Sequence, residues 1–272
     1  MILSILPNTT EGMITYYVGD NPNHISHLKD CKLICKQKFE GFNNVEQVIV
    51  EDPQLEFYKL SHKVENEYTF GGRFNYGNNC EIHHTAVIGN GVEIGDNVTI
   101  GPNTVIYSKT KIGNNVRIDA NCTIGTEGMM WVWDDDKKVY LRQLGGVTIE
   151  DDVIIGSGCV IVRGSANELT HIGEGTNMAP NCAIGHGTYI GKHVHFANGV
   201  LTGGSSYISD YNFIGSGAII SAGVKLLSND IILGSGAVAI NDLDTIGVFV
   251  GTPAKFKKAP IGKLSGMPIW RE

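Results

Sequence analysis

From Ile82 onward, large apolar residues recur at every sixth position, and this period decides the fold. The first run is Ile82, Ile88, Ile94, Ile100, Ile106, Ile112, Ile118 and Ile124. Register resumes at Ile149, Ile155 and Ile161, and once more at Ile172, Met178, Ile184, Ile190, Phe196, Thr202, Ile208, Ile214, Ile220, Leu226, Ile232 and Val238. In the run from Ile172 the residue after each is nearly always small. An α-helix repeats every 3.6 residues and a strand every two, so neither yields this pattern. A hexapeptide period predicts a mainly β protein, a parallel β-helix whose short strands turn a corner every six residues. Three hexads make one coil, aliphatic side chains fill the bore, and the small follower is expected to permit the tight corner. Twenty-three hexads make between seven and eight coils.

The period breaks twice, at 126–146 and for about five extra residues around 163–170. Three hexads back from Ile184 lies Ile161, and three further back lies Ile124, so both breaks leave the prism at one edge. His186, two residues past Ile184, falls on that same edge. Adjacent coils are about 4.8 Å apart, which places both segments and His186 within roughly 10 Å along it. Segments projecting from a rigid scaffold are where function collects.

Residues 1–75 do not follow the hexad rule. Strands are predicted over Met13–Val18, Cys31–Cys35 and Val48–Glu51. Asp52-Pro53 followed by apolar residues at 55, 57, 58 and 60 predicts a short helix. This is a small α/β domain, joined through 64–75 to a β-helix domain over 76–258, in which 126–146 is a loop insertion. Residues 259–272 are expected to be an extended, partly mobile tail.

Composition narrows the partners. A formal charge of -7 over 272 residues argues against nucleic acid or an anionic membrane. Six cysteines are scattered without a CxxC pair, which suggests neither a disulfide framework nor a zinc site. Cys122, Cys159 and Cys182 sit in hexads and are expected to be small buried thiols. With no basic-then-apolar leader and no run of eighteen apolar residues, a soluble, cytoplasmic, reduced protein is expected, with no membrane insertion.

At the level of motifs the chain resembles the hexapeptide-repeat acyltransferases, most narrowly the UDP-3-O-acylglucosamine N-acyltransferases. The resemblance runs through Asp52-Pro-Gln-Leu-Glu-Phe57, Gly125-Thr-Glu-Gly-Met129 with its long insertion, Gly146–Gly156, Arg163-Gly164 and Ile184-Gly-His186. It implies a left-handed helix, a homotrimer with sites between subunits, and a catalytic base at His186. Two departures stand out. Ala179-Pro180 replaces an Asp-Asn pair usual in that family, and the family's C-terminal helices have no counterpart here. Gly251-Thr-Pro-Ala-Lys255 is instead similar to the terminal motif of coenzyme-A-dependent sugar acetyltransferases. The combination resembles acyltransferases acting on nucleotide-linked amino sugars for surface polysaccharides, and implies acyl-coenzyme A as co-substrate with no metal.

Each candidate residue carries two readings. His186 is a general base or an ordinary interface histidine. His193 and His195 are interface or cleft groups, with substrate contact by His195 the sharper reading. Arg163, one coil below His186 by phase, holds a phosphate or carboxylate, or makes an intersubunit salt bridge. Trp131, Trp133 and Tyr140 wall a sugar or pantetheine arm, or anchor the insertion; Asp134–Asp136 is a solvated turn. By resemblance to the family's uridine module, Tyr17 (or Tyr16) would stack on a base beside Asn21-Pro22 and His24, with plain packing as the alternative. Lys255, Lys257 and Lys258 would meet the phosphates of coenzyme A or form a solvated tail, and Gly204 is a further cofactor-side candidate. Two other classes stay open. One is a γ-type zinc carbonic anhydrase built on His171, His186, His193 and His195; the other is a non-catalytic solenoid.

Overall fold

The hexads fold into three parallel sheets that wrap a common bore. In the computed structural model, which describes residues 1–64, 70 and 72–259, each sheet contributes eight coil strands. The first face runs from Asn75–Tyr76 to Lys225–Leu226, the second from Glu81–Ile82 to Ile232–Leu233, and the third from Val87–Ile88 to Val238–Ala239. One strand of each face per coil gives eight coils. On the second face Val248–Val250 adds a further parallel strand and Lys255–Lys258 an antiparallel one, which together close that end. The inward residues form one continuous apolar cluster from Ile88 to Phe249.

Two details of the repeat differ from expectation. The first hexad, Asn75–Tyr76, is invisible to an aliphatic search because the position in register with Ile94 holds Tyr76, which is exposed. At the far end, Ile214 pairs with Leu233 and Ile220 with Ala239. The turn after Leu226 carries one extra residue, so the last two inward positions are Leu233 and Ala239 rather than Ile232 and Val238. A one-residue slip in a strand exchanges its faces, and here both choices are apolar, so the sequence pattern does not report it.

The small follower is also small for a different reason. Except at Gly125, where the long insertion begins, its backbone does not take the left-handed conformation; that falls two residues later, on asparagines such as Asn97, Asn103, Asn115 and Asn121. What the follower meets is the next coil. A Cβ on Gly185 would lie 2.5 Å from the carbonyl carbon of Gly203 and the amide nitrogen of Gly204, closer than any real Cβ approaches.

The chain forms two compact units, and both breaks belong with the small one. Unit one comprises Met1–Asn66, Glu127–Gly145 and Gly164–Glu168; unit two is the β-helix, Glu67–Thr126, Gly146–Arg163 and Leu169–Glu272. The small unit holds a parallel sheet of Ile14–Tyr17, Cys31–Cys35 and Val45–Ile49, in that order. Its helix, Pro53–Ser61, is capped by Asp52, whose carboxylate accepts the Leu55 N–H at 2.9 Å. The third strand begins at Val45, three residues before the apolar run that predicted it.

The insertion is an ordered hairpin, Trp131–Asp134 paired antiparallel with Lys137–Tyr140. Val132 and Val139 pack against a core of Leu3, Ile34, Phe57, Tyr58, Leu141 and Ala166, so the N-terminal segment and both excursions supply one apolar cluster. Asn167 ties the shorter excursion down, accepting the Ile5 N–H at 3.2 Å and donating to Asn8 O at 3.0 Å. The expected linker falls partly, at 65–69 and 71, and the expected tail almost wholly, at 260–272, outside the described residues.

Candidate functional site

The edge between the third face and the first face of the next coil concentrates the exceptional features of the β-helix. Ile124 pairs with Ile161 and Ile161 with Ile184, so the phase argument holds: both excursions depart from this edge and His186 sits on it. Arg163 lies here but is fully buried. Its Nε donates to Gly125 O at 2.7 Å and its Nη2 to Ser108 O at 2.5 Å. The guanidinium therefore spans the edge where regular pairing stops, and is held as a strut rather than presented to a ligand or a second subunit.

His186 is half-buried and follows Gly185 out of the bore. Its ring lies directly over Gly204, one coil further on, where an added Cβ would stand 2.2 Å from Nε2. Gly204 is thus the floor on which the imidazole rests. At the same hexad position on the edge between the first and second faces, the N–H is capped by a side chain of the next coil. Asp96 Oδ1 accepts from Asn78, Asn114 Oδ1 from Asp96, Asp151 Oδ1 from Asn114, and Asp210 Oδ1 from Lys192. On the coil beyond Gly204, on the side away from His186, the corresponding residue is Ala222, which offers no acceptor, and the Gly204 N–H meets none among the described residues. An imidazole and a backbone N–H with no protein acceptor are the kinds of group that proton transfer and anion stabilisation use.

The other histidines stand elsewhere. His171 is on the first face, stacked on Tyr189 with centroids 4.7 Å apart, and Tyr189 stacks on Tyr207 at 5.0 Å. Its Nε2 is 3.5 Å from Glu150 Oε1. His195 is on the second face, stacked on Phe213 at 5.1 Å, and His193 occupies a left-handed corner against Tyr211. Burial lowers the pKa of both His171 and His195, with Glu150 partly offsetting this at His171. Their folded-state values lie below the unfolded ones, so the unfolded chain takes up protons first as pH falls. The melting temperature is therefore expected to drop as pH goes below about 6.5. Replacing both by phenylalanine, which keeps the stacks, should flatten that decline in scanning calorimetry.

In the small unit the sequence candidates do come together. The Tyr17 hydroxyl donates to Asn21 O at 3.0 Å and lies 3.1 Å from His24 Nδ1. The Tyr17 ring itself is buried against Phe39, with centroids 5.9 Å apart, and the Asn21 side chain accepts the Asn23 N–H as a cap. Of the three, Asn21 and His24 are exposed, and His24 is the one with an exposed aromatic ring. Tyr16 packs on Phe57 at 4.8 Å, and its phenol is pushed up to about 12, first by burial and then by Tyr58. Nearby, Lys38, Phe39, Phe42, Asn43, Gln47 and Ile49 contribute to the lining of a cavity of about 340 Å³. The Gln47 amide holds its rim, accepting the Phe39 N–H at 2.8 Å and donating to Phe39 O at 2.9 Å. Sequence reasoning passed over this loop because it carries no motif; its signal is the Phe39/Phe42 pair beside turn-forming residues.

On the hairpin, Trp131, Trp133 and Tyr140 share the outward face and are exposed. The two indoles meet at 78°, and Lys138 Nζ lies 4.2 Å from the Trp131 centroid. Asp134 pairs with Lys59 at 2.8 Å instead of lying in the turn. Lys255, Lys257 and Lys258 belong to the closing strand above the eighth coil, whereas His186 is on the fifth. The ladder spacing puts them roughly 20 Å apart along the axis. Among the described residues no three histidine, cysteine or acidic side chains converge as metal ligands, and no helix is long and apolar enough to cross a membrane.

Comparison with known proteins places these features among similar chains. The family described as bacterial transferase hexapeptide (six repeats) matches residues 77–108. The UDP-3-O-acylglucosamine N-acyltransferase of Delftia acidovorans is 32% identical over 128 residues, covering 47% of this chain and 38% of that protein. The 2,3,4,5-tetrahydropyridine-2,6-dicarboxylate N-succinyltransferase of Bartonella bacilliformis is 28% identical over 153 residues, covering 51% and 54%. The chain thus spans about half or less of the length of these curated relatives. Among solved structures, the UDP-N-acetylglucosamine acyltransferase from Campylobacter jejuni superposes with a TM-score of 0.61 at 22% identity, over 68% of this chain and 69% of that one. That likeness is one of fold.

Proposed function

We propose that the chain, whose residues 77–108 match the bacterial transferase hexapeptide (six repeats) model, is an N-acyltransferase of the hexapeptide family. In this reading it moves a short acyl group, acetyl or a small hydroxyacyl, from acyl-coenzyme A to the amine of a dTDP- or UDP-linked amino-deoxysugar, in surface polysaccharide biosynthesis. The observation that carries the reading is the imidazole of His186 packed against Gly204, whose N–H has no acceptor among the described residues.

The amine nitrogen attacks the thioester carbonyl carbon, and His186 removes the proton that the nitrogen must lose. Imidazole titrates near neutrality and suits that task. The carbonyl oxygen takes the negative charge beside the Gly204 N–H. Collapse of the tetrahedral adduct re-forms the carbonyl and breaks the C–S bond, and the departing thiolate takes the proton from the imidazolium. The small domain, with His24 and the cavity behind Phe39, would hold the nucleotide; Lys255, Lys257 and Lys258 would meet the phosphates of coenzyme A.

A homotrimer is part of the proposal, and one face supports it. The outward positions of the third face are Val87, Val105, Thr123, Val160, Ala183, Leu201, Ile219 and Val238, without a charge among them. A sheet face turned to water normally alternates to polar residues. The first face does, through Glu93, Lys111 and Lys225.

A second reading, a long acyl chain delivered by acyl carrier protein to UDP-3-O-acylglucosamine, draws on the names of the curated relatives. Thiol release measured with acetyl-coenzyme A and with acyl carrier protein thioesters separates the two. We expect turnover with the coenzyme A thioester and a nucleotide amino sugar; turnover with the carrier protein alone would replace this reading by the second.

A further inference from the structure

The repeat places apolar residues on its inward positions, and Thr202 departs from that rule at the coil that carries Gly204. A hydroxyl buried in an aliphatic bore costs stability unless bonded. Thr202 is 7% exposed, and its Oγ1 accepts the Gly185 N–H at 3.1 Å. It lies 3.4 Å from Oγ1 of Thr188, a fully buried residue that donates to Gly203 O at 3.1 Å. Ser206, 2% exposed, shares its proton between Gly203 O at 2.9 Å and Ser221 O at 3.1 Å. One carbonyl, Gly203 O, therefore faces two buried hydroxyl donors. That carbonyl belongs to the peptide group whose N–H is the Gly204 amide under His186.

We infer that Thr188 and Ser206 are positioning residues that fix and polarise the Gly203–Gly204 peptide for oxyanion stabilisation, with Thr202 supporting Thr188. This rests on the acyltransferase reading above. Hydrogen bonds accepted by a carbonyl draw electron density from the peptide nitrogen, which strengthens its N–H as a donor. They also stop the peptide from rotating away as charge develops, and preorganised donors are the effective ones. Another edge supplies the comparison. Thr176 Oγ1 donates to Gly191 O at 3.0 Å in the same way, but there the following N–H, on Lys192, is capped by Asp210. The motif of hydroxyl behind peptide recurs, and at Gly204 its N–H is left for a ligand.

The test uses the full-length protein with whichever thioester supports turnover. Thr188→Val and Ser206→Ala should each lower kcat about tenfold with KM for the thioester unchanged, less than the hundredfold or more that losing an oxyanion donor costs. Thr188→Ser, which restores the hydroxyl, should recover the rate. Thr176→Val, which removes the same kind of bond behind a capped amide, should leave kcat as it was. The nitrogen and proton shifts of the Gly204 amide in the free protein should move in Ser206→Ala and stay put in Thr176→Val. Wild-type kcat in both Thr188→Val and Ser206→Ala, with His186→Ala inactive, overturns this inference and leaves the acyltransferase reading standing. Full activity in His186→Ala removes that reading and the inference with it. Equal losses in Thr176→Val and Thr188→Val would show a general packing effect and also overturn it.

Discussion

Replacing His186 by alanine is expected to reduce kcat by roughly 10²- to 10⁴-fold, the usual contribution of a positioned acid–base group. The fold should not notice. The side chain leaves the bore at a corner, the strands on either side pair through their backbones, and the cluster that fills the coil lies on the inward side of Gly185. Far-UV circular dichroism and the melting temperature should therefore match the wild type. Asparagine at 186 is the sharper variant, because it keeps a polar side chain over Gly204 without a ring nitrogen to accept the proton. The rate of His186→Asn should be as low as that of His186→Ala, which separates loss of the proton acceptor from loss of a polar side chain. A variant with wild-type kcat would show that the corner is not where the proton goes.

This result matters because the position of His186 was legible before any coordinates, while much of its surroundings was not. Period six gave the three faces, and counting three hexads per coil gave a shared edge for Ile124, Ile161 and His186, which the strand pairing bears out. That inference is robust because the β-ladder fixes the stacking of coils whatever the side chains do. Side-chain orientation within a hexad was less accessible. Arg163 reads as a surface cation by composition, and only the missing strand partners beside Gly125 explain why an arginine is drawn inside to bind two carbonyls. The insertion reads as a loop because its charges and aromatics are mixed. Its alternation, Val132 and Val139 in, Trp131, Trp133 and Tyr140 out, becomes meaningful once it has a core to face. Tyr17 illustrates the opposite error. Resemblance offers its ring to a base, whereas the cluster around Phe39 takes the ring inside and leaves only the hydroxyl for Asn21 and His24.

The second large effect is expected from charge placed on the third face. Leu201→Asp combined with Ile219→Asp should convert a self-associated protein to monomers in analytical ultracentrifugation. Leu201 and Ile219 are vertical neighbours on this face, and Leu201 is 44% exposed in the single chain. Covering each fully is worth about 1.5–3 kcal/mol, and an unpaired carboxylate in their place adds a desolvation cost of several kcal/mol. Since 1.4 kcal/mol is tenfold in an equilibrium constant, the double change should shift association by several orders of magnitude. The monomer should remain folded, because the bore beneath is Thr202 and Ile220, which neither change touches. Thr99→Asp, the same charge on the second face, is the control and should leave the assembly intact. Activity is expected to disappear with association. His186 stands at the margin of this apolar face, so a neighbouring copy laid on it would supply the second wall that excludes water from the developing oxyanion. Wild-type protein sedimenting as a monomer, or a monomeric double variant with full turnover, would mean that one chain closes the site by itself.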